Sequence, residues 1–342
     1  MRIFFKDFPM AQYTKISLNE ANSILELYDL PKCIQLEPVG HGISNTNYIA
    51  ILEDQSEIIL KIANDKQFDQ LMGEQKILLQ LKEIGFKHSP YPLKTKTGDL
   101  VYRLHSWHGT ISPRFPGSVI AFPTTQSCFE QGKILAALHQ ASLSKSTTIN
   151  KKNIPIRSAR TVGFDLEDIN HFQETSAHCP KDFKEAFFKL LNLEKKQIYL
   201  NAKNTLASGI IHGDFYFDNA LFDRNNDISI MLDFEQAGLG NFLFDLGISL
   251  SGSCHKNQNL NLDLIKSFLN GYQHIRPLSE TEKSLMGFSI NLGLLSIALW
   301  RIFRFNIAKI TPNKLDSYQE LITRALNFQK DFSDEQLQIA LW

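Results

Sequence analysis

Apolar residues recur at helical spacing through residues 16–30, where Ile16, Leu18, Ala21, Ile24, Leu25 and Tyr28 share a face. Ser17 followed three positions later by Glu20 is a capping-box signature, so the spacing predicts a helix that starts there. The period then changes. Two apolar runs, Tyr48 to Leu52 and Ile58 to Ala63, flank the polar segment EDQSE and predict an antiparallel hairpin. Helical spacing returns over 66–85 through Phe68, Leu71, Met72, Ile77, Leu78 and Leu81, and Gly85 suits the residue after the last turn. A short strand is expected near Leu100 to Leu104. From about residue 126 the pattern is mostly helical, over 127–143, 180–207, 262–275, 280–307 and 312–328. An island of short apolar runs interrupts it at Gly209 to Ile211, Asn219 to Phe222 and Ile228 to Leu232. The expected organisation is therefore a small strand-rich N-terminal lobe over 10–105, a connector near 104–110, and a larger helical lobe over 106–342. A cleft is expected between the two.

Composition narrows the classes. At roughly 150 residues per domain, 342 residues make about two domains. A chain that is 43% hydrophobic and 21% charged is a globular one. Thirty-six basic residues balance thirty-six acidic ones, which argues against nucleic acid as a main partner. The longest near-continuous apolar stretch, Met286 to Leu299, is interrupted by Gly287, Ser289, Asn291, Gly293 and Ser296, so no membrane span is expected. The first residues, MRIFFKDFPMAQYT, have too short an apolar core for a signal peptide. Cys33, Cys128, Cys179 and Cys254 stand apart without metal-binding spacing, which points to a reducing, cytoplasmic setting.

The chemistry is concentrated in the island, IIHGDFYFDNALFDRNNDISIMLDFEQAGLGNFLFD. Asn219 lies five positions after Asp214, and Asp233 nineteen after it, each held beside a strand-like run. Two carboxylates and a carboxamide on loops between short strands are what phosphoryl transfer requires. One carboxylate takes the proton of an attacking hydroxyl, while a carboxylate and an amide oxygen hold Mg²⁺ on the nucleotide phosphates. Asp218 and Asp223 fall off that spacing and are expected to face solvent or cap turns. Upstream, Lys61 in IILKIA is the candidate cation for the phosphates of ATP, since a lysine within an apolar strand needs a partner. Glu74, thirteen residues on, is placed to hold it. The Gly-rich segment before the hairpin, with Gly40, Gly42, Ser44 and Asn45, can bring backbone and side-chain donors close to phosphates.

Taken together these residues resemble the protein-kinase-like phosphotransferases that act on small molecules: the aminoglycoside, choline/ethanolamine, methylthioribose and homoserine kinases. The resemblance implies an α+β, bilobal fold of the protein-kinase type, with Asp214 as catalytic base, Asn219 and Asp233 as Mg²⁺ ligands, and Lys61 as the phosphate-binding lysine. His212, and Asp245 in FLFDLG, match positions that brace the catalytic loop. The likeness to homoserine kinases of this fold covers most of the chain, through AQYTKISLNEANSILELYDL, GISNTNY, GKILAALHQAS, FDNALFD and FLNGYQHIRPLSETEKSLM. The segment after Asp233, Phe234-Glu235-Gln236-Ala237, is instead similar to choline and ethanolamine kinases.

The acceptor can be approached through charge. Homoserine is a zwitterion, so its site needs a cation and an anion. Arg301 and Arg304, at i and i+3 in the otherwise apolar LLSIALWRIFRF, are candidates for the carboxylate, and Glu235 for the ammonium. A choline site would want an aromatic cage, for which Trp107, Phe215, Tyr216 and Trp300 are available. The sequence thus points to an ATP- and Mg²⁺-dependent hydroxyl kinase of the homoserine type, with amino alcohols or aminoglycoside antibiotics as alternative acceptors. A nucleotide-binding pseudokinase would be expected to lack one of Lys61, Asp214, Asn219 or Asp233, and all four are present.

Overall fold

The computed structural model describes residues 14–39, 45–64, 66–144, 149, 154–155, 179–190, 198–199, 205–307 and 314–342. The chain divides into two compact units, Met1–Pro116 with Lys152–Ile154, and Gly117–Lys151 with Pro155–Trp342.

In the first unit, α1 (Leu18–Glu26) starts at the expected capping box, the Ser17 hydroxyl accepting from the Glu20 amide while the Glu20 carboxylate accepts from the Ser17 amide. Five antiparallel strands follow in the order β1-β2-β3-β5-β4: β1 (Cys33–Pro38), β2 (Asn45–Leu52), β3 (Glu57–Ala63), β4 (Tyr102–Leu104) and β5 (Trp107–Pro113). The hairpin read from the sequence is β2–β3, with Asn47 opposite Lys61. Between β3 and β4 runs α2 (Phe68–Glu83), and Gly85 after it has the positive φ of 84° that ends a helix. The sheet and α1 bury Ile24, Leu25, Leu52, Leu60, Ile62 and Ile111 in one core.

Two strands escaped the sequence pattern. β1 is an edge strand with only Cys33 buried, so it lacks the alternation that marks a half-buried strand. β5 lies where a connector was expected. Its WHGTISP carries few apolar residues, yet Gly109, Thr110 and Ile111 are buried because the strand lies between β3 and β4.

The second unit is mainly helical. Its α3 (Thr125–Ser144) and α4 (Lys181–Leu190) precede the strand island, which forms two pairs, β6 (Ser208–Ile211) with β9 (Gly238–Asn241), and β7 (Ala220–Phe222) with β8 (Ile228–Met231). There follow α5 (Phe242–Ser253), the short pair β10 (His255–Lys256) and β11 (Asn259–Leu260), α6 (Leu262–Ile275) and α7 (Glu280–Ser284). Last come α8 (Met286–Arg301), α9 (Gln319–Asp331) and α10 (Asp334–Leu341). Of the expected 180–207 helix, 181–190 and 198–199 are helical among the described residues, and 205–207 are not. The expected 280–307 helix is interrupted at Leu285, and from Ile302 to Ile307 it winds as a π-helix. With that turn included, Met286–Asn306 is long and apolar enough to cross a membrane, a longer stretch than the Met286 to Leu299 read from the sequence, but 72% of the window is buried inside the protein. It packs against α5, where the Ser289 hydroxyl donates to the Leu243 carbonyl at 2.5 Å. The helix α5 was missed because FLFDLGISLSGS is buried nearly all round and shows no amphipathic period.

Candidate active site

The loop that leaves β6 is built around Asp245. This carboxylate sits in the first turn of α5 with no exposed surface. One of its oxygens accepts the Gly213 amide at 2.7 Å, and the other accepts the His212 amide and the His139 Nε2–H, both at 2.9 Å. Burial alone would push the Asp245 carboxyl up, but these donors, His139 first among them, hold it below the usual carboxylate range. Gly213 turns at φ 78°, and a Cβ there would meet the Gln236 carbonyl oxygen at 2.5 Å. Only glycine fits.

His212 knits the site together. Its Nε2–H donates to the Leu232 carbonyl at 2.8 Å, and its Nδ1 accepts the Asp214 amide at 3.3 Å. That pair of bonds requires the neutral ring, and burial brings its pKa down to about 4. The Leu232 amide in turn donates to the Asn219 carbonyl at 2.8 Å, extending the β7–β8 pairing by one step. Asn219 and Asp233 are thereby held at the same end of that hairpin. The Asn219 Nδ2 donates to the Asp214 carbonyl at 2.8 Å, which directs its Oδ1 elsewhere. Asp233 is exposed and left-handed, with φ 57° and ψ 63°. Burial pushes the half-buried Asp214 carboxyl well above its ordinary range, and the charges of Asp233, Glu235 and Asp218 push it further. Asp214, Asn219, Asp233 and Glu235 therefore share one locus, with His212 and Asp245 beneath them. Asp218 is exposed, and Asp223 caps a turn by accepting the amides of Asn225 and Asp227 at 2.7 and 3.0 Å.

One residue of this site was not singled out from the sequence. His139 links Asp245 to a buried chain, its Nδ1 accepting the Tyr272 hydroxyl at 2.7 Å. Tyr272 accepts from Arg276 at 3.1 Å, and Arg276 pairs with Glu282 at 2.7 Å. A histidine in the apolar run ILAALHQAS was the available signal. Tyr216, named from the sequence only for an aromatic cage, also lies here. Its hydroxyl neighbours the Asp214 carboxylate, and its ring packs where a side chain on Gly252 would stand.

In the first unit, Lys61 Nζ lies 3.2 Å from Glu74 Oε1, as the spacing suggested. A second lysine, Lys66, lies 2.7 Å from Glu74 Oε2. Burial alone would raise the Glu74 carboxyl, but the two ammonium groups hold it down to about 2. Asn45 opens β2 in a buried position, and its Oδ1 has no hydrogen-bond partner among the described residues. Gly40, Gly42 and Ser44 lie outside the described residues.

The two candidate arginines have different neighbours among the described residues. Arg301 donates to the Glu320 carboxylate and the Ser317 carbonyl, and it is close enough to Tyr216 to act on its charge. Arg304 falls in the π-helical turn, where α-helical i, i+3 spacing no longer applies, and its guanidinium lies 5.2 Å from the Trp300 ring centre.

Residues 35–278 match the phosphotransferase enzyme family. The homoserine kinase of Janthinobacterium sp. (strain Marseille) is 24% identical over 325 residues, which span 92% of this chain and 95% of that protein. The homoserine kinase of Neisseria meningitidis serogroup B (strain ATCC BAA-335 / MC58) is 27% identical over 301 residues, spanning 87% and 92%. Among solved structures, an amicoumacin kinase in complex with AMP-PNP, Ca²⁺ and Ami has a TM-score of 0.66 at 16% identity, over 93% of this chain and 96% of that one. The fold is accordingly α+β and protein-kinase-like.

Proposed function

The chain belongs to the phosphotransferase enzyme family, and from that premise we propose that it transfers the terminal phosphoryl group of ATP to the hydroxyl of L-homoserine. The products would be O-phospho-L-homoserine and ADP, a step toward threonine. The observation that carries the reading is the convergence of Asp214, Asn219 and Asp233 on one locus, fixed by His212 and Asp245. In this reading the acceptor oxygen attacks the γ-phosphorus as its proton passes to Asp214, and the bond from that phosphorus to the oxygen of ADP breaks. The raised pKa of Asp214 suits a group that must take a proton. Homologues called homoserine kinase over most of their length support the choice of acceptor.

The residues fit a divalent cation that arrives with the nucleotide. Asp233 offers a carboxylate, and Asn219 an amide oxygen whose nitrogen is already committed to Asp214. Two protein oxygens completed by phosphates and water suit Mg²⁺, and no cluster of three or more acidic, His or Cys side chains is found among the described residues for a metal caged by protein alone. Bound there, Mg²⁺ would neutralise charge on the phosphates. Glu235 is assigned to the ammonium of homoserine and Arg301 to its carboxylate. Cys33, Cys128, Cys179 and Cys254 are free and buried, which agrees with a reducing cytoplasm.

The test is ADP release over a panel of L-homoserine, choline, ethanolamine and kanamycin-type amines, each with and without Mg²⁺. We expect Mg²⁺-dependent turnover with homoserine well above the rest. Should choline or ethanolamine lead the panel, the homoserine assignment is wrong and Glu235 is the better guide to the acceptor. Turnover that ignores the metal would remove Asn219 and Asp233 from their assigned role.

A further inference from the structure

Glu74 carries one negative charge and faces two lysines. Its side chain is 7% exposed, and those of Lys61 and Lys66 are 17% and 15% exposed. The lysines occupy different oxygens, Lys61 on Oε1 at 3.2 Å and Lys66 on Oε2 at 2.7 Å, and the Gln75 Nε2 stands 3.4 Å from Oε1. Each ammonium thus has its own oxygen on one buried carboxylate.

The two lysines are anchored differently. Lys61 lies mid-strand, opposite Asn47 on one side and Thr110 on the other, so only its side chain is free to move. The Lys66 carbonyl is held by the Nε2 of His108, 2.8 Å away on β5. His108 in turn meets the Phe68 ring edge-on at 6.0 Å, and Phe68 lies 3.6 Å from the Arg103 guanidinium. Lys66 is thus presented to Glu74 by a braced segment.

We propose that Lys66 is a positioning residue that keeps Glu74 neutralised while the Lys61 ammonium turns to a nucleotide phosphate. With a single lysine, drawing Lys61 onto phosphate would strip a buried carboxylate of its cation, and part of the binding energy would be lost to that. With Lys66 on Oε2 and Gln75 beside Oε1, Glu74 stays paired while Lys61 is on the phosphate. The inference rests on the kinase reading of Lys61, and the experiment separates the two.

The full chain is prepared as wild type, K61M, K66M, K66R, E74Q and K66M/E74Q. Mg-ADP and Mg-ATP binding is titrated, KM is measured for ATP and for the acceptor, and thermal midpoints are recorded. K66M is expected to weaken nucleotide binding about tenfold, with acceptor KM within about twofold of wild type and K66R close to wild type. In the E74Q background K66M should add less than about twofold, because Lys66 acts through that carboxylate. If K66M does not fold, K66Q is read in its place against the same criteria. Unchanged nucleotide binding in K66M, or losses that multiply in the double variant, would overturn the proposal for Lys66. If K61M also binds nucleotide as wild type, the kinase reading of this site fails, and the role of Lys66 with it.

Discussion

Asp214 combines two requirements that oppose each other in water. As the proposed base it would have to reach an acceptor hydroxyl and yet hold a proton readily. Burial and the nearby carboxylates meet the second requirement by disfavouring its charged form. Asp214→Asn keeps the shape and removes the basicity, so kcat should fall by about 10²–10⁴ while nucleotide affinity stays within a few-fold. Near-normal turnover in that variant would take Asp214 out of the mechanism. Arg301 raises a different question at the same scale, because its guanidinium already engages Glu320. Glu320 is 38% exposed, so water can replace the arginine there, and a ligand carboxylate can compete for it. If Arg301 binds the acceptor carboxylate, Arg301→Ala should raise KM for homoserine by about ten- to a hundred-fold with KM for ATP unchanged, since a charge-assisted bond contributes on the order of 1.5–3 kcal/mol. Glu320→Gln is the control. It should leave that KM unchanged or lower it, and an equal rise in both variants would make Arg301 structural.

At the scale of elements, the loop between β6 and β7 owes its shape to pieces remote in sequence. Asp245 from α5 and His139 from α3 converge on its first residues, and Leu232 after β8 ties down the His212 ring. The turn they enclose tolerates no Cβ at position 213, where φ is 78° and the Gln236 carbonyl stands close. Gly213→Ala should destabilise the protein by about 1–2 kcal/mol from backbone conformation alone, and by more where the carbonyl must shift. Urea unfolding would measure this, and a variant as stable as wild type with full activity would show that the loop does not need its left-handed turn. The helices α1 and α6 were legible because each buries one face and exposes the other, which writes a period into the sequence, and the hairpin β2–β3 because two apolar runs flank a polar turn. An element buried all round, like α5, or an edge strand with a single buried residue, like β1, writes none. Lys66 was passed over for a related reason, since a lysine before a helix looks like any solvated residue until Glu74 is seen between it and Lys61.

For the molecule as a whole, buried ionisable groups set the stability against acid. His212 is neutral in the fold with a pKa of about 4, below the ordinary value of 6.5, so the unfolded chain takes up a proton first as pH falls. Its contribution is complete above pH 6.5 and is lost between 6.5 and 4; His139, also lowered by burial, acts in the same direction. Glu74, held at about 2 against an ordinary 4.5, stabilises fully above pH 4.5 and ceases to as pH falls toward 2. For His212 and for Glu74 the shift corresponds to about 3 kcal/mol. Denaturation midpoints should therefore be level from pH 8 to 6.5, fall from there to pH 4, and fall again below 4.5 in wild type but less in Glu74→Gln. Asp214, whose carboxyl is raised, acts in the opposite direction, so the check is made in Asp214→Asn, where equal midpoints at pH 7 and pH 5 would contradict the histidine assignment. By itself the sequence determined the lysine strand, the acidic island with its Asp214–Asn219–Asp233 spacing, and most of the amphipathic helices, because each is a matter of local period or local spacing. Only the tertiary structure decided that His139 joins Asp245 in bracing the loop, that Lys66 shares Glu74, and that Arg301 engages Glu320 while Arg304 lies over the Trp300 ring. Those are choices among partners far apart in the chain, and burial, charge pairing and backbone geometry make them only once the chain has packed.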